Sequence, residues 1–366
     1  MKRVVFLSGK YFDFEKSCLT IGGVQTYLSE LIAICKSLGL AVELFQIGDS
    51  NQTKAYNQIN ISQIKVAITD YQSFCNAVAT KVRSEDSIVI FASETIVPKT
   101  IPFDYSMAIQ HGINWDVPIN GKQPLFLKLL SNLKRDYKII SQVKNLNQVV
   151  CVDYNYVNWL RAQTNNRDIK LTIIPNYTRI APVYNKPNNR INIIFARRLF
   201  EYRGTRVFTY AAKRILNEYP NVHVTVAGTG PDEGFMKYEL QSFTNVDFIT
   251  YKSSESLEIH ADKHIAVVPT IGSEGTSLSL LEAMSAQCAV VASNVGGITN
   301  IVLGDYNGLL VNAGDDEDLY RAMRHLIDNP IELKRLSDNG YETAKQAFSY
   351  ERWAEKWALL LKAAAE

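Results

Sequence analysis

The chain has 366 residues, 46% of them hydrophobic and 21% charged, with 39 Lys and Arg against 37 Asp and Glu for a net charge of +2. That length favours two domains over one, and the composition is that of a globular chain, not a disordered or fibrous one. A pI near 8.1 without any basic-aromatic tract argues against a nucleic-acid partner, and no apolar run approaches the roughly 18 residues that span a bilayer.

The charge is uneven. Residues 1–180 hold 20 basic against 14 acidic residues, and the remainder holds 19 against 23. The first half is therefore the face to expect for an anionic partner such as a membrane surface or a phosphate-linked lipid. Cys18, Cys35, Cys75, Cys151 and Cys288 are scattered with no Cys-x-x-Cys, which suggests neither a disulfide framework nor a zinc site and fits a reducing cytoplasm. Only Val4 to Leu7 form an apolar run after Met1-Lys2-Arg3, too short for a secretory signal core.

Val4 to Leu7 is expected as a buried first strand. It leads to Gly22-Gly23 and an amphipathic helix from about Val24 to Leu38. Paired glycines at a helix start allow close backbone approach to a group such as a phosphate, or serve only the turn. Strands are expected near 42–47, 87–92 and 106–110 with helical stretches between them, an alternation that argues for a parallel sheet covered on both faces. His111 follows the last of these strands, where a parallel sheet places ligands, although a lone histidine is more often structural. Residues 122–145 carry Lys122, Lys128, Lys134, Arg135, Lys138 and Lys144 against Asp136, with Phe126, Leu127, Leu129, Leu130, Leu133 and Ile139 at helical spacing. Such a helix either turns its apolar stripe to the core or rests on an anionic membrane.

Residues 175–190, with three prolines and four asparagines, read as a linker. Strand and helix alternation then restarts with Ile191 to Ala196, a helix from about Thr205 to Glu218, and Val222 to Ala227. The loop Arg197 to Gly204 offers guanidinium groups that fork onto phosphate oxygens. Gly228-Thr229-Gly230-Pro231 lacks the third glycine of a dinucleotide fingerprint, since position 233 is Glu, which argues against an NAD-dependent dehydrogenase. At 264–286 an apolar strand ends at Pro269, a loop carries Gly272, Ser273, Glu274 and Gly275, and a helix starts near Ser277. Backbone N–H groups and the positive dipole end there suit a diphosphate. Glu274 cannot bind phosphate, but a carboxylate accepts hydrogen bonds from sugar hydroxyls. Glu282 lies eight residues on, inside the helix, so one ligand could touch both. The generic alternative is a plain strand–turn–helix unit. Asp316-x-Asp318 sits at a helix start and does not read as a divalent-metal site. A final amphipathic helix, Ser349 to Ala365, carries Trp353 and Trp357.

These motifs together resemble the retaining GT-B glycosyltransferases of family four. The Glu, seven residues, Glu motif is Glu274 and Glu282. The Arg-Leu-x-x-x-Lys-Gly loop is Arg198-Leu199 to Arg203-Gly204, with Arg for Lys. Gly228 to Pro231, Pro175-Asn176, Val295 to Gly297 and Asn307 to Val311 match in order. The resemblance implies an α/β GT-B fold, two doubly wound Rossmann-like domains with parallel sheets facing across a cleft. Its domains would be 1–175 for the acceptor, a linker at 176–190, 191–348 for the nucleotide-sugar, and 349–366 packing back on the first domain. It implies that Arg198 and Arg203 neutralise the donor diphosphate, Glu274 holds the donor sugar, and Glu282 binds the ribose. His111 would contact the sugar near the reacting carbon. Gly22, Gly23, Gly228, Gly230, Gly275, Thr276, Ser277 and Leu278 would line the donor site. No metal or cofactor is implied beyond the nucleotide-diphosphate sugar. The expected acceptor is a saccharide or lipid-linked saccharide of surface polysaccharide assembly, reached from the cytoplasmic face of the membrane. Thr276 stands where many members carry Phe, so the donor-sugar pocket does not follow from the resemblance. A GT-B-fold nucleotide-sugar epimerase and a non-catalytic nucleotide-sugar-binding relative are the alternatives.

Overall fold

The computed structural model describes residues 3–20, 22–112, 124–164, 169–272 and 274–366, so Lys122 and Ser273 lie outside the described residues. These divide into two compact units. One holds the described residues of 3–111, 124–174 and 354–366, and the other Gly112 with those of 175–353.

In the first unit, eight strands form one sheet in the order Leu171–Ile173, Gln148–Cys151, Ser106–Gln110, Ser87–Phe91, Arg3–Ser8, Ala41–Gly48, Ile59–Lys65 and Gln52–Tyr56. Every pairing is parallel except the last. Helices on both faces of such a sheet leave its strands no solvent side, which is why they read as unbroken apolar runs such as Ser-Ile-Val-Ile-Phe, buried throughout. The segment between 47 and 87 departs from the expected helix. Residues 52–65 form an antiparallel hairpin, and the helix is confined to Tyr71–Ala79, capped by Asp70 accepting from the Ser73 N–H at 3.0 Å. The hairpin turn is Asn57-Gln58, with φ of 46° and 63°, the two left-handed residues that a two-residue type I′ turn needs. Its outer strand, Gln-Thr-Lys-Ala-Tyr, lies at the sheet edge and so lacks the apolar run that marks the others.

The second unit is built on a six-stranded parallel sheet in the order Val246–Ile249, Val222–Ala227, Ile191–Ala196, Ile265–Val268, Ala289–Ser293 and Leu309–Val311. Side chains alternate across it. Ile193, Phe195, Val224, Val226, Ile265 and Val267 pack with the helices Thr205–Glu218 and Asp316–Asp328. Ile194, Ala196, Ala266, Val268, Val290 and Ala292 pack on the other face with the helix Leu278–Ser285.

The proline-rich segment 176–190 lies against this second unit. Ala181 joins its core, and Lys186 Nζ donates to the carbonyls of Lys263, at 2.5 Å, and Gln287. The boundary between the units falls again at residue 354, inside the last helix, Tyr350–Ala365. Trp353 packs against Tyr177 in the second unit, with ring centroids 4.4 Å apart and planes tilted by 37°. Trp357, fully buried in the first unit, donates its indole N–H to the Tyr27 hydroxyl at 2.8 Å. Among the described residues no helix is long and apolar enough to cross a membrane.

Candidate functional site

In an open parallel sheet, ligands bind beyond the carboxyl ends of the strands. In the second unit the loops at four such ends interlock. The Leu199 N–H donates to Thr229 O at 2.9 Å, the Ile271 N–H to Tyr202 O at 2.9 Å, and the Gly297 N–H to Glu274 O at 2.7 Å. Two glycines make this closeness feasible. At Gly228 (φ 142°) a side chain would overlap the Arg197 carbonyl, and at Gly204 (φ 83°) it would overlap Pro269. Gly230 faces the backbone of Leu199 in the same way. Expected as donor contacts, Gly228 and Gly230 therefore also set the spacing of the Arg197–Gly204 loop.

Glu274 is the centre of this edge. Its residue is only 7% exposed, and one carboxylate oxygen, Oε2, accepts from Arg197 Nη2 at 2.5 Å, from Thr270 Oγ1 at 2.9 Å and from Arg203 Nη1. Arg197 also donates to Thr270 Oγ1. Burial alone would raise the carboxyl pKa, but Arg197 and Arg203 outweigh it and hold the group below its usual value. The charge count of the cluster, two guanidinium groups on one carboxylate, leaves one positive charge over. Arg203 keeps more exposure than Arg197, 13% against 5% of the side chain.

The structure thus brings Glu274 and Arg203 together and adds Thr270, to which the sequence reading gave no role, and Arg197, which that reading counted only among the loop's phosphate-forking guanidinium groups. Arg197 is buried on the Glu274 side while its neighbour Arg198, on the same segment, is turned to solvent. Nothing in the sequence chooses which of the two is buried.

Beyond Glu274, Thr276 and Ser277 are buried, and Asn176 Nδ2 holds the Thr276 carbonyl at 2.7 Å. Ser277 begins the helix Leu278–Ser285, and its side chain does not cap it. The first-turn N–H groups and the positive dipole end are thus left to a ligand or to water. Leu278 is partly exposed at this start. Glu282 lies just over one turn in and is partly buried. Loss of solvation pushes its carboxyl up to about 7, despite a hydrogen bond from Ser256. Burial and then Glu282 raise the neighbouring Tyr251 hydroxyl to about 12. Among the described residues no three His, Cys, Asp or Glu side chains assemble as a metal-ligand set. In the acidic stretch, Asp315 accepts the Asp318 N–H at 2.9 Å and Asp318 accepts the Asn312 N–H at 2.8 Å.

In the first unit, the helix Gly23–Ser37 starts at Gly22-Gly23, with Gly22 in extended backbone. His111 stands at the carboxyl end of Ser106–Gln110. Its Nε2 lies 2.8 Å from the Ala92 carbonyl, which only accepts, so this nitrogen carries the proton and Nδ1 is the acceptor. Desolvation lowers its pKa to about 4, so the ring is neutral near pH 7. Tyr27 packs edge-on against it at 5.3 Å, and Tyr27 is in turn held by Trp357.

The basic stretch forms the helix Leu125–Val143, but its faces are the reverse of a core-seeking helix. Phe126 is 67% exposed, Leu129 53%, Leu133 66% and Tyr137 76%. Lys128, Asn132 and Arg135, turned away from that stripe, are only partly exposed. The reading in which the apolar stripe packs on the core is therefore overturned.

Residues 176–343 match the family described as Glycosyl transferases group 1. An uncharacterized glycosyltransferase of Methanocaldococcus jannaschii is 23% identical over 341 residues, covering 91% of this chain and 92% of that protein. Among solved structures, the sucrose-phosphate synthase of Thermosynechococcus elongatus superposes with a TM-score of 0.76 at 17% identity, covering 99% of each chain. HepE of Anabaena in complex with UDP-glucose superposes with a TM-score of 0.74 at 14% identity, covering 99% of this chain and 100% of that one. The fold is GT-B, and the match and relatives support a glycosyltransferase.

Proposed function

We propose that the chain is a glycosyltransferase that moves a sugar from a nucleoside-diphosphate sugar to a saccharide or lipid-linked saccharide, with retention of configuration and without a metal ion. The observation that carries this reading is Glu274, kept ionised between two arginines at the carboxyl edge of the second sheet, one loop before a helix N-terminus and eight residues before Glu282. Glu274 accepts from hydroxyls of the donor sugar. The helix N-terminus, with the backbone of Gly275, Thr276 and Ser277, faces the diphosphate, and Glu282 takes the ribose hydroxyls. Arg203, with the uncompensated charge of the cluster, and Arg198, exposed beside it, stabilise the diphosphate as the bond from the sugar's anomeric carbon to phosphate oxygen breaks. The acceptor oxygen bonds that carbon on the same face and gives its proton to a departing phosphate oxygen. His111, neutral, offers Nδ1 to a sugar hydroxyl. HepE, solved with UDP-glucose, supports a UDP-sugar as the first donor to try.

The test is a screen of UDP-, GDP- and dTDP-sugars for diphosphate release, with and without EDTA, beside a thermal-shift panel of the nucleotides and NAD. Release from at least one nucleotide-sugar, unchanged by EDTA, is expected. Stabilisation by NAD alone would sink the transferase reading. Arg198→Ala is expected to lower the rate by at least about 10²-fold, as loss of a transition-state charge contact does. Near-normal turnover would remove Arg198 from the site.

Glu282 gives the site a pH dependence. Its pKa is about 7 in the free protein, and ribose hydroxyls donating to the carboxylate favour the charged form, so binding lowers it. Donor binding then releases a proton. Affinity rises with pH up to about 7, at most about tenfold per unit, and levels off above. A nucleotide-sugar has no phosphate ionisation in this range, so titration calorimetry isolates the carboxyl. Glu282→Gln should flatten the curve; an equally sloped variant would exclude Glu282 as its source.

The exposed apolar stripe of Leu125–Val143, flanked by Lys134 and Lys138, supports peripheral attachment to an anionic membrane at the cytoplasmic face. Each lysine near such a surface contributes about 1 kcal/mol. The chain should sediment with phosphatidylglycerol vesicles and not with phosphatidylcholine alone, and Lys134→Glu with Lys138→Glu should lower binding at least about tenfold. Equal binding to both vesicle types, or to neither, contradicts the attachment.

A further inference from the structure

We infer that Arg197, with Thr270, is a positioning residue for Glu274: the pair commits one carboxylate oxygen to the protein and leaves the other, Oε1, as the single fixed acceptor for the donor sugar. This inference rests on the donor-site reading of Glu274 and assigns the residues that make it work.

The geometry is one-sided. All three donors around Glu274, Arg197 Nη2, Arg203 Nη1 and Thr270 Oγ1, converge on Oε2. Among the described residues no hydrogen bond is made to Oε1. Arg197 reaches both ends of the arrangement, since it also donates to Thr270 Oγ1. The three side chains form a closed triangle, which removes the carboxylate's rotation as a source of alternative contacts.

Arg197 also divides the charge. With Arg203 alone, Glu274 would be neutralised by the guanidinium that a diphosphate also requires. Buried Arg197 supplies that neutralisation permanently, so Arg203 retains attraction for an anion while still touching Glu274. A carboxylate this buried is stable in its charged form only while paired.

The fixed oxygen has a consequence for specificity. A single acceptor in a set direction distinguishes donor sugars by the orientation of one hydroxyl, and a misplaced hydroxyl leaves a buried charge unserved. Loosening the triangle should therefore lower discrimination between epimers as well as rate.

The experiment compares Arg197→Met, Arg197→Lys and Thr270→Val with Glu274→Gln. The probe is the nucleotide-sugar that the unaltered protein turns over fastest in the UDP, GDP and dTDP panel. Readouts are the pH profile of turnover, the rate ratio against the single-hydroxyl epimer of that sugar, and affinity for the matching free nucleoside diphosphate. Arg197→Met should lower turnover about 10²-fold and move the acid limb upward by about one pH unit or more, because burial then dominates the Glu274 ionisation. Arg197→Lys keeps the charge, so the acid limb returns while the rate and epimer ratio stay reduced. Thr270→Val should lower the epimer ratio by about tenfold or more. The sugar-free nucleoside diphosphate should bind Arg197→Lys and Thr270→Val, which keep both positive charges, within about threefold of the unaltered protein, and Arg197→Met more weakly.

An unmoved acid limb in Arg197→Met, or nucleoside-diphosphate affinity falling in step with turnover in Arg197→Lys and Thr270→Val, would overturn the positioning role. If Arg197→Met does not fold, Arg197→Lys and Thr270→Val decide on the epimer ratio alone, and an unchanged ratio in both overturns it. Turnover lost in Glu274→Gln but kept in Arg197→Met sinks this inference while the donor site stands. No release from any nucleotide-sugar by the unaltered protein removes both.

Discussion

Glu274→Ala is expected to lower donor turnover by at least about 10²-fold, the scale of losing a fixed charge contact to the reacting sugar. The substitution also leaves Arg197 and Arg203 without their shared carboxylate, and removing one partner of a buried ion pair costs about 3–5 kcal/mol of stability. Rate and stability must therefore be separated. Glu274→Gln keeps the size and one hydrogen-bond acceptor but not the charge, and should retain more stability while losing comparable activity. Turnover per folded molecule, normalised by thermal melting in the same buffer, is the quantity to compare. If both variants turn over the best nucleotide-sugar at near-normal rates, the assignment of the site to Glu274 is wrong.

The largest effect on stability is expected from Trp357→Ala. The indole is fully buried, lies 6.2 Å from the Tyr27 ring between centroids and donates to its hydroxyl at 2.8 Å. Truncating a buried tryptophan costs about 3–5 kcal/mol through lost transfer energy and the cavity that remains. Trp357→Phe refills most of the volume but removes the indole hydrogen bond to the Tyr27 hydroxyl, and about 1–2 kcal/mol is expected. Because the chain has two units, a single unfolding free energy is not defined, and calorimetry should show the transition of the first unit lowered while that of the second moves less. The effect should reach His111, which Tyr27 supports edge-on, so turnover of the folded Trp357→Phe variant should fall as well. A loss below about 1 kcal/mol in Trp357→Ala would mean that the helix end is not fastened through this residue.

Much of the architecture was legible because parallel strands covered on both faces must be apolar throughout. The runs at 4–7, 87–91, 191–196, 222–227 and 265–268 need no tertiary knowledge to be read as buried strands. The hairpin at 52–65 escaped because its outer strand is polar, and its turn is built by Asn57 and Gln58 without a glycine. The loops of the candidate site were legible for a related reason. Glycines and arginines concentrated after strand ends have few structural explanations, and the spacing of Glu274 and Glu282 follows from a loop and just over one helical turn. What could not be read was direction. Arg197 and Arg198 are chemically identical neighbours, and only packing against the 269–277 loop determines which one is buried on Glu274.

The order of strands, glycine loops and helix starts, and the carboxylate pair eight residues apart, were set by local pattern, since each depends on residues near in the chain. Three features depended on contacts between distant segments. They are the commitment of Glu274 Oε2 to Arg197, Arg203 and Thr270, the outward turn of the apolar stripe on Leu125–Val143, and the burial of Trp357 against Tyr27, 330 positions away. Periodicity reports that a helix has two faces and composition reports that a loop is basic. Which face is covered, and which cation meets the anion, is decided by the neighbour that folding brings against them.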